Sequence, residues 1–182
     1  VLSAVLDAPP DGPSLGGRGA QLHQYFPKLC PPYCGLEMNF RRIRSDHRHF
    51  KVFTLATVES VSGSAGDYDV TIRLDPRYVI NDRCIACNKC AEVCPAERPN
   101  AFNYGLDTTR AAYLPSPMAF PMKYVIDGEA CVGAACSACA EACPTKGVVH
   151  LAALRIGQDL VGLVDLLELL LGGGVGVDVG VP

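Results

Sequence analysis

CAEVCP at residues 90–95 returns as CAEACP at residues 139–144, forty-nine positions further along the chain. Working outward, the first phrase completes the run Cys84-x2-Cys87-x2-Cys90-x3-Cys94-Pro95, and the second completes Cys131-x4-Cys136-x2-Cys139-x3-Cys143-Pro144. The last three cysteines of each group keep one common offset, and only the first shifts, by two residues. A packed core has no use for a cysteine phrase written twice with its closing proline. Ten cysteines in 182 residues would read as disulfides in a secreted chain, but this short, regular spacing argues for thiolates gathered around soft metal.

The run C-x2-C-x2-C-x3-C-P resembles that of bacterial ferredoxins, in which three thiolates hold one [4Fe–4S] cube and the fourth crosses to a second cube. The chemistry accounts for the spacing. Ligands two residues apart let a tight loop wrap three corners of a cube with its amides turned toward the sulfides. The three-residue step begins a helical turn that carries the last thiolate away, and proline fixes the backbone behind it. The expected ligand sets are therefore Cys84, Cys87, Cys90 and Cys143 for one cluster, and Cys131, Cys136, Cys139 and Cys94 for the other. The x4 gap after Cys131 departs from the ordinary x2, and its filler VGAA is small and apolar, so a wider loop can bulge there. Zinc on paired C-x2-C elements is the rival metal, but it gives no reason for the Cys-Pro ending or for the two-halved, eightfold phrase. Clusters that merely brace the fold are the rival role. Two cubes sharing a woven ligand set suit electron transfer better.

Around the cysteine groups the chain changes character. It is 49% hydrophobic and 19% charged, enough for a folded core, and its net charge is -3. That charge is unevenly spread: +2 over residues 21–80, -1 over 81–150 and -3 over 151–182. No segment is basic enough for nucleic acid. Residues 1–20, rich in Gly, Pro, Ala and Ser, read as a flexible N-terminal arm. LGGRGA within them lacks both the spacing of G-x-G-x-x-G and a strand before it. Residues 21–76 form a hairpin segment. FKVFTLATVESVS (50–62) and YDVTIRL (68–74) alternate and are β-branched, GSAGD lies between them, and Asp75-Pro76 ends the second strand. Residues 77–151 carry the cysteine groups. The roughly 36 residues between the groups are expected to form a proline-rich ordered loop over the metal sites. KYVID (123–127) and GVVHL (147–151) are the expected strands entering and leaving the second group. Residues 152–182 read as an apolar helix and a Gly-rich tail. Asp165 and Glu168 interrupt LVGLVDLLELLL, and no uncharged run reaches the ~18–20 residues of a bilayer span. No basic leader or cleavage pattern marks the start, so no signal peptide is expected, and a first residue other than Met points to a processed chain or a fragment.

A wider resemblance follows from KVFTLATVESVSGSAGDYDVTIRLDPRYVINDRC (51–84) and CPAERPNAFNYGLDTTRAAYLPSPMAFPMKYVID (94–127). Over residues 21–151 the chain resembles the A-type polypeptide of heterodisulfide reductase, in which a thioredoxin-reductase-like flavoprotein domain runs through a similar hairpin into an inserted two-cluster ferredoxin domain. The resemblance implies an α+β fold: a two-[4Fe–4S] ferredoxin-like domain preceded by a small β-hairpin, with flexible termini. It also implies a non-catalytic, cytoplasmic electron-transfer subunit of an anaerobic redox complex, partnered by flavoprotein or iron–sulfur chains of a family that can bifurcate electrons. No G-x-G-x-x-G follows a strand, so no FAD is expected on this chain. A free, diffusible ferredoxin-type carrier and a structural or regulatory module are the alternatives. Cys30 and Cys34, in LCPPYCG, are two free buried thiols, one incidental pair, or half of a third metal site completed by a partner. RRIRSDHRH (41–49) is either a solvated basic face or a docking face for an acidic partner.

Overall fold

The computed structural model describes residues 12–46, 49–65 and 67–148. The expected C-terminal helix and Gly-rich tail, 152–182, lie outside the described residues, as do residues 149–151 of the GVVHL strand. Small helices and two-stranded antiparallel sheets make up the rest. Among the described residues no helix is long and apolar enough to cross a membrane.

Two long antiparallel strands, β1 (Ala56–Ser64) and β2 (Asp67–Leu74), form the hairpin. The alternation of FKVFTLATVESVS predicts a strand from residue 50, but pairing begins only at Ala56. Leu55 is left-handed, with φ 58°, and its N–H donates to the Gly12 carbonyl rather than to a ladder partner. A register shift between Val58 and Ser60 marks a bulge. Gly63 is obligatory near the tip: φ is +99°, and an added Cβ would stand 2.2 Å from the Asp67 carbonyl oxygen. Only the base of the hairpin is buried, through Ala56 and Ile72.

The inter-group segment holds more regular structure than a loop. Strand β3 (Glu97–Pro99) pairs with β4 (Thr108–Arg110) around a single 3-10 turn at Ala101–Asn103, whose Phe102 N–H donates to Asn100 Oδ1 at 3.1 Å. β5 (Ala112–Tyr113) then pairs with β6 (Val125–Ile126), the centre of the expected KYVID strand. The prolines of this segment do not prevent pairing, because these two-residue and three-residue ladders need few amide donors. Val79 and Val148 make an isolated antiparallel bridge, and the Ile80 N–H donates to the Gly147 carbonyl at 2.8 Å. The two ends of the cysteine-rich stretch are thereby closed on each other.

Residues 12–20 depart from the expected flexible arm. They carry helix α1 (Gly17–Ala20), and Leu15 and Ala20 are buried. The Leu15 N–H donates to the Phe120 carbonyl at 2.9 Å, and the Phe120 N–H donates to Ser14 Oγ at 2.8 Å. Apolar Leu15 thus has a place to be buried, which a composition-based reading cannot see. Helix α2 (Tyr33–Ser45) docks on the same spot by stacking Phe40 on Phe120, ring centroids 4.8 Å apart, with the Arg44 guanidinium 5.6 Å from the Phe120 centroid.

Arg77 ties these pieces together. It is buried, and its Nη2 donates to the Pro13 carbonyl at 2.5 Å and to Thr54 Oγ1 at 2.6 Å, while Nη1 donates to the Lys123 carbonyl at 3.4 Å. Burial lowers its pKa to about 10, which leaves the guanidinium charged at neutral pH. Replacing Arg77 with Met keeps the bulk and strands those acceptors. We expect a loss of about 2–3 kcal/mol, read as a fall in Tm of about 5–10 °C for a chain of this length. An unchanged melting curve would show that the network carries no stability.

Candidate metal centres

The loop of the first group, 84–88, turns through two left-handed residues, Ala86 (φ 55°) and Asn88 (φ 68°), before helix α3 (Lys89–Glu92). Asparagine tolerates that conformation; alanine rarely adopts it. The turn curls the backbone around Cys84 and Cys87, and among the described residues the amides of 85–87 find no backbone acceptor. The helix carries Cys90 inward and leaves Cys94 just beyond its end. In the second group, Asp127 organises the entry. Its carbonyl accepts from the Cys131 N–H at 3.0 Å, and its Oδ1 accepts from the Glu129 and Ala130 amides at 2.9 and 3.1 Å. A 3-10 turn at Gly133–Ala135 takes up the longer gap, with Gly133 at φ +77°. Helix α4 (Ala138–Ala142) then carries Cys139 inward, with Cys143 at its end.

α3 packs against α4. Cys90 and Cys139 share one core with Val79, Ala112, Tyr124 and Ile126. Two cavities flank that core. The first, about 310 Å³ of non-atom space partly open to solvent, is lined by Cys84, Cys87, Cys90 and Cys143, with Val79, Tyr124 and Val148 among its walls. The second, about 280 Å³, is lined by Cys94, Cys131, Cys136 and Cys139, with Ala112 and Ile126. Each cavity therefore gathers three thiols from one group and the last thiol of the other. In each group the helix holds the third cysteine and ends before the fourth, so that Cys94 and Cys143 leave the helical path and reach the other cavity.

All eight thiols are free. Among the described residues, no three His, Cys, Asp or Glu side chains converge as a site for a single metal ion. Zinc would need four ligands drawn to about 2.3 Å of one point. Thiols spread around the wall of a larger apolar space instead fit a group that fills the space itself, as a cube with four outward iron corners does. Burial, then neighbouring Cys84, pushes the Cys90 thiol up to about 12, and burial, then Cys131, raises Cys139. Without a cationic metal core such thiols stay protonated, so loading must release protons. Cys143 runs the other way. Burial raises it, but hydrogen bonds from Thr145, Gly147 and Val148 outweigh that and lower it overall. The Gly147 N–H donates to Cys143 Sγ at 3.2 Å. Glycine fits there because an added Cβ would meet the Arg83 backbone at 3.1 Å and the Cys84 nitrogen at 3.2 Å.

Several residues at these centres were not evident from the spacing of the cysteines. Tyr124 Oη donates to Asn88 Oδ1 at 2.5 Å and locks the first loop; burial, then the thiols of Cys90, Cys84 and Cys87, raises its pKa to about 12. Lys123 Nζ donates to the Cys84 carbonyl at 2.6 Å. Their signal in the sequence is only the KYVID phrase, whose register fixes which side chains face the first group. Cys30 and Cys34 are drawn into neither cavity. Against the expectation of buried thiols, Cys30 is half-buried, bridged to Tyr25, and Cys34 is exposed on α2. Of the basic stretch 41–49, Arg41 pairs with Glu37 at 2.5 Å and His49 with Asp46 at 2.6 Å on the surface. Residues 47 and 48 lie outside the described residues.

Comparison with known proteins agrees with this geometry. Residues 83–147 match the 4Fe-4S dicluster domain family. The chain is 41% identical over 133 residues, 72% of its length, to the iron-sulfur A-type polypeptide of the CoB--CoM heterodisulfide reductase of Methanocaldococcus jannaschii, of which it covers 20%. It is 38% identical over 138 residues, 76% of its length, to the corresponding A-type polypeptide of the H(2):CoB-CoM heterodisulfide,ferredoxin reductase of Methanothermobacter thermautotrophicus, again covering 20%. Against that of the Ferredoxin:CoB-CoM heterodisulfide reductase of Methanosarcina mazei it is 35% identical over 136 residues, 74% of this chain and 17% of the relative. The chain thus spans about a fifth of the length of these relatives. It carries a 4Fe-4S dicluster domain and is related, over about three quarters of its own length, to a stretch of the A-type polypeptide of heterodisulfide reductase.

Proposed function

We propose that this chain relays single electrons through two [4Fe–4S] clusters inside a larger, heterodisulfide-reductase-like redox complex. Cys84, Cys87, Cys90 and Cys143 hold the first cluster, and Cys131, Cys136, Cys139 and Cys94 the second. The observation that carries the reading is the pair of four-thiol cavities, each completed by the last cysteine of the opposite group. Bound there, the clusters supply one-electron oxidation and reduction and no bond chemistry. The protein's part is to hold and insulate. α3 and α4 keep the two cavities adjacent across a shared core, Tyr124 and Asn88 fix the first loop, and Asp127 fixes the second.

The partners follow from what the relatives are. Their names describe heterodisulfide reductases, one of which is also named a ferredoxin reductase and another of which is named with ferredoxin before the heterodisulfide, and this chain corresponds to a fifth of one. We place these residues in a cytoplasmic complex with other redox components, and assign no FAD to residues 1–182, which hold no G-x-G-x-x-G after a strand. The relationship to these reductases runs well beyond residues 83–147, which favours a docked component over a free carrier of cysteine groups alone. Electron paramagnetic resonance on the anaerobically reduced protein tests the relay. A complex signal broadened by coupling between two cubes is expected. Two independent, magnetically isolated spectra would deny that the centres are close enough for transfer.

A further inference from the structure

The two cavities do not present equal electrostatics. Beside the first, Lys123 places its ammonium on the Cys84 carbonyl at 2.6 Å, and Arg77 lies behind it, bonded to the Lys123 carbonyl. Neither cation has an ion-pair partner among the described residues, whose ion pairs lie elsewhere. Of the other charges near this loop, Lys89 and Glu92 cancel as a pair at 3.0 Å, Asp82 and Arg83 before Cys84 carry opposite signs, and Lys146 adds a further cation. Cys143 also receives the Gly147 N–H, with the Thr145 hydroxyl 3.6 Å from its sulfur. At the second cavity, Asp127 organises the Cys131 turn, and its charge is neutralised by Arg98 at 3.1 Å, both half-buried. There the Cys139 sulfur accepts from the Ala140 amide, and the Cys94 thiol, which gives up its proton on ligation, donates to the Ala96 carbonyl at 3.6 Å.

Reduction adds negative charge to a cluster. Uncompensated cations and N–H···S hydrogen bonds favour the reduced form, and net charge and hydrogen bonding to sulfur are among the terms that set cluster potentials. Amide–sulfur bonds act at both sites, and the uncompensated cations lie beside the first. We propose that Lys123, with Arg77 behind it, holds the first cluster at a higher reduction potential than the second, so that the two centres are unequal and the electron rests on the first. The inference rests on the two-cluster reading above. Lys123 acts as a positioning charge and ligates nothing.

The test is a redox titration of the full chain, loaded anaerobically with iron and sulfide and followed by paramagnetic resonance. Wild type shows two one-electron couples. Lys123→Gln lowers the upper couple by about a tenfold change in its equilibrium, ~59 mV for one electron, and leaves the lower one in place, whereas Lys123→Arg keeps the wild-type value. Arg98→Gln, which leaves the Asp127 carboxylate unpaired, lowers the lower couple instead. Equal shifts of both couples, no shift, or a shift of the lower couple in Lys123→Gln would overturn the inference. Iron content of the same samples separates the two layers. Fewer than about eight irons in wild type defeats the two-cluster reading and this inference with it. About eight irons with unselective shifts defeats the asymmetry alone.

Discussion

Cys143→Ala empties the first centre and spares the second, so iron falls from about eight atoms per chain to about four. Cys143 lies in the second sequence group, at the end of α4, yet its thiol lines the cavity of Cys84, Cys87 and Cys90. Double variants make the assignment decisive. Cys143→Ala with Cys87→Ala removes two ligands of one centre and leaves about four irons. Cys143→Ala with Cys136→Ala breaks both centres and leaves almost none. The reverse pattern would show that each group keeps its own cube and that the helices do not exchange ligands. Alanine is the right replacement, because a serine hydroxyl can stand in for a thiol.

Stripping the metal should have the largest effect on the fold itself. The core beside the cavities consists of six buried residues, two of them cysteines and one an alanine. No large side chain among the described residues is fully buried. So small an apolar core contributes little by itself, and small folds of this kind depend on metals or disulfides. Metal binding in structural thiolate sites is worth on the order of 10 kcal/mol or more, comparable to the whole ~5–15 kcal/mol stability of a domain. Chelation under reducing conditions is therefore expected to abolish hydrogen-exchange protection at Ile126 and Asp127, whose N–H groups bond the Arg77 and Ala111 carbonyls. An iron-free chain that kept that protection would show that protein packing alone maintains β5 and β6.

The cysteine spacing made the centres legible because ligand chemistry is local. A two-residue or three-residue step is written directly in the chain, and the repeat of CAEVCP as CAEACP exposes the two halves. The hairpin was legible for the same reason, since alternation and Gly63 are short-range signals. What surrounds them was not. Nothing local says that Leu15 will find the Phe120 carbonyl, that Phe40 will stack on Phe120, or that Arg77 will gather Pro13, Thr54 and Lys123. Those contacts join positions from 23 to more than 100 residues apart, and loop closure rather than periodicity decides them. The inter-group strands were hidden by their brevity. Two or three residues cannot display an alternation, and pairing depends on a partner elsewhere in the segment.

The central claim concerns eight sulfurs and two iron cubes, and diffraction at the iron edge on crystals grown without oxygen tests it most directly. Two separate peaks of four irons each are predicted, one within bonding reach of Cys84, Cys87, Cys90 and Cys143 and the other of Cys94, Cys131, Cys136 and Cys139. A lone ion at either position, or sulfur–sulfur bonds among these cysteines, would contradict the account.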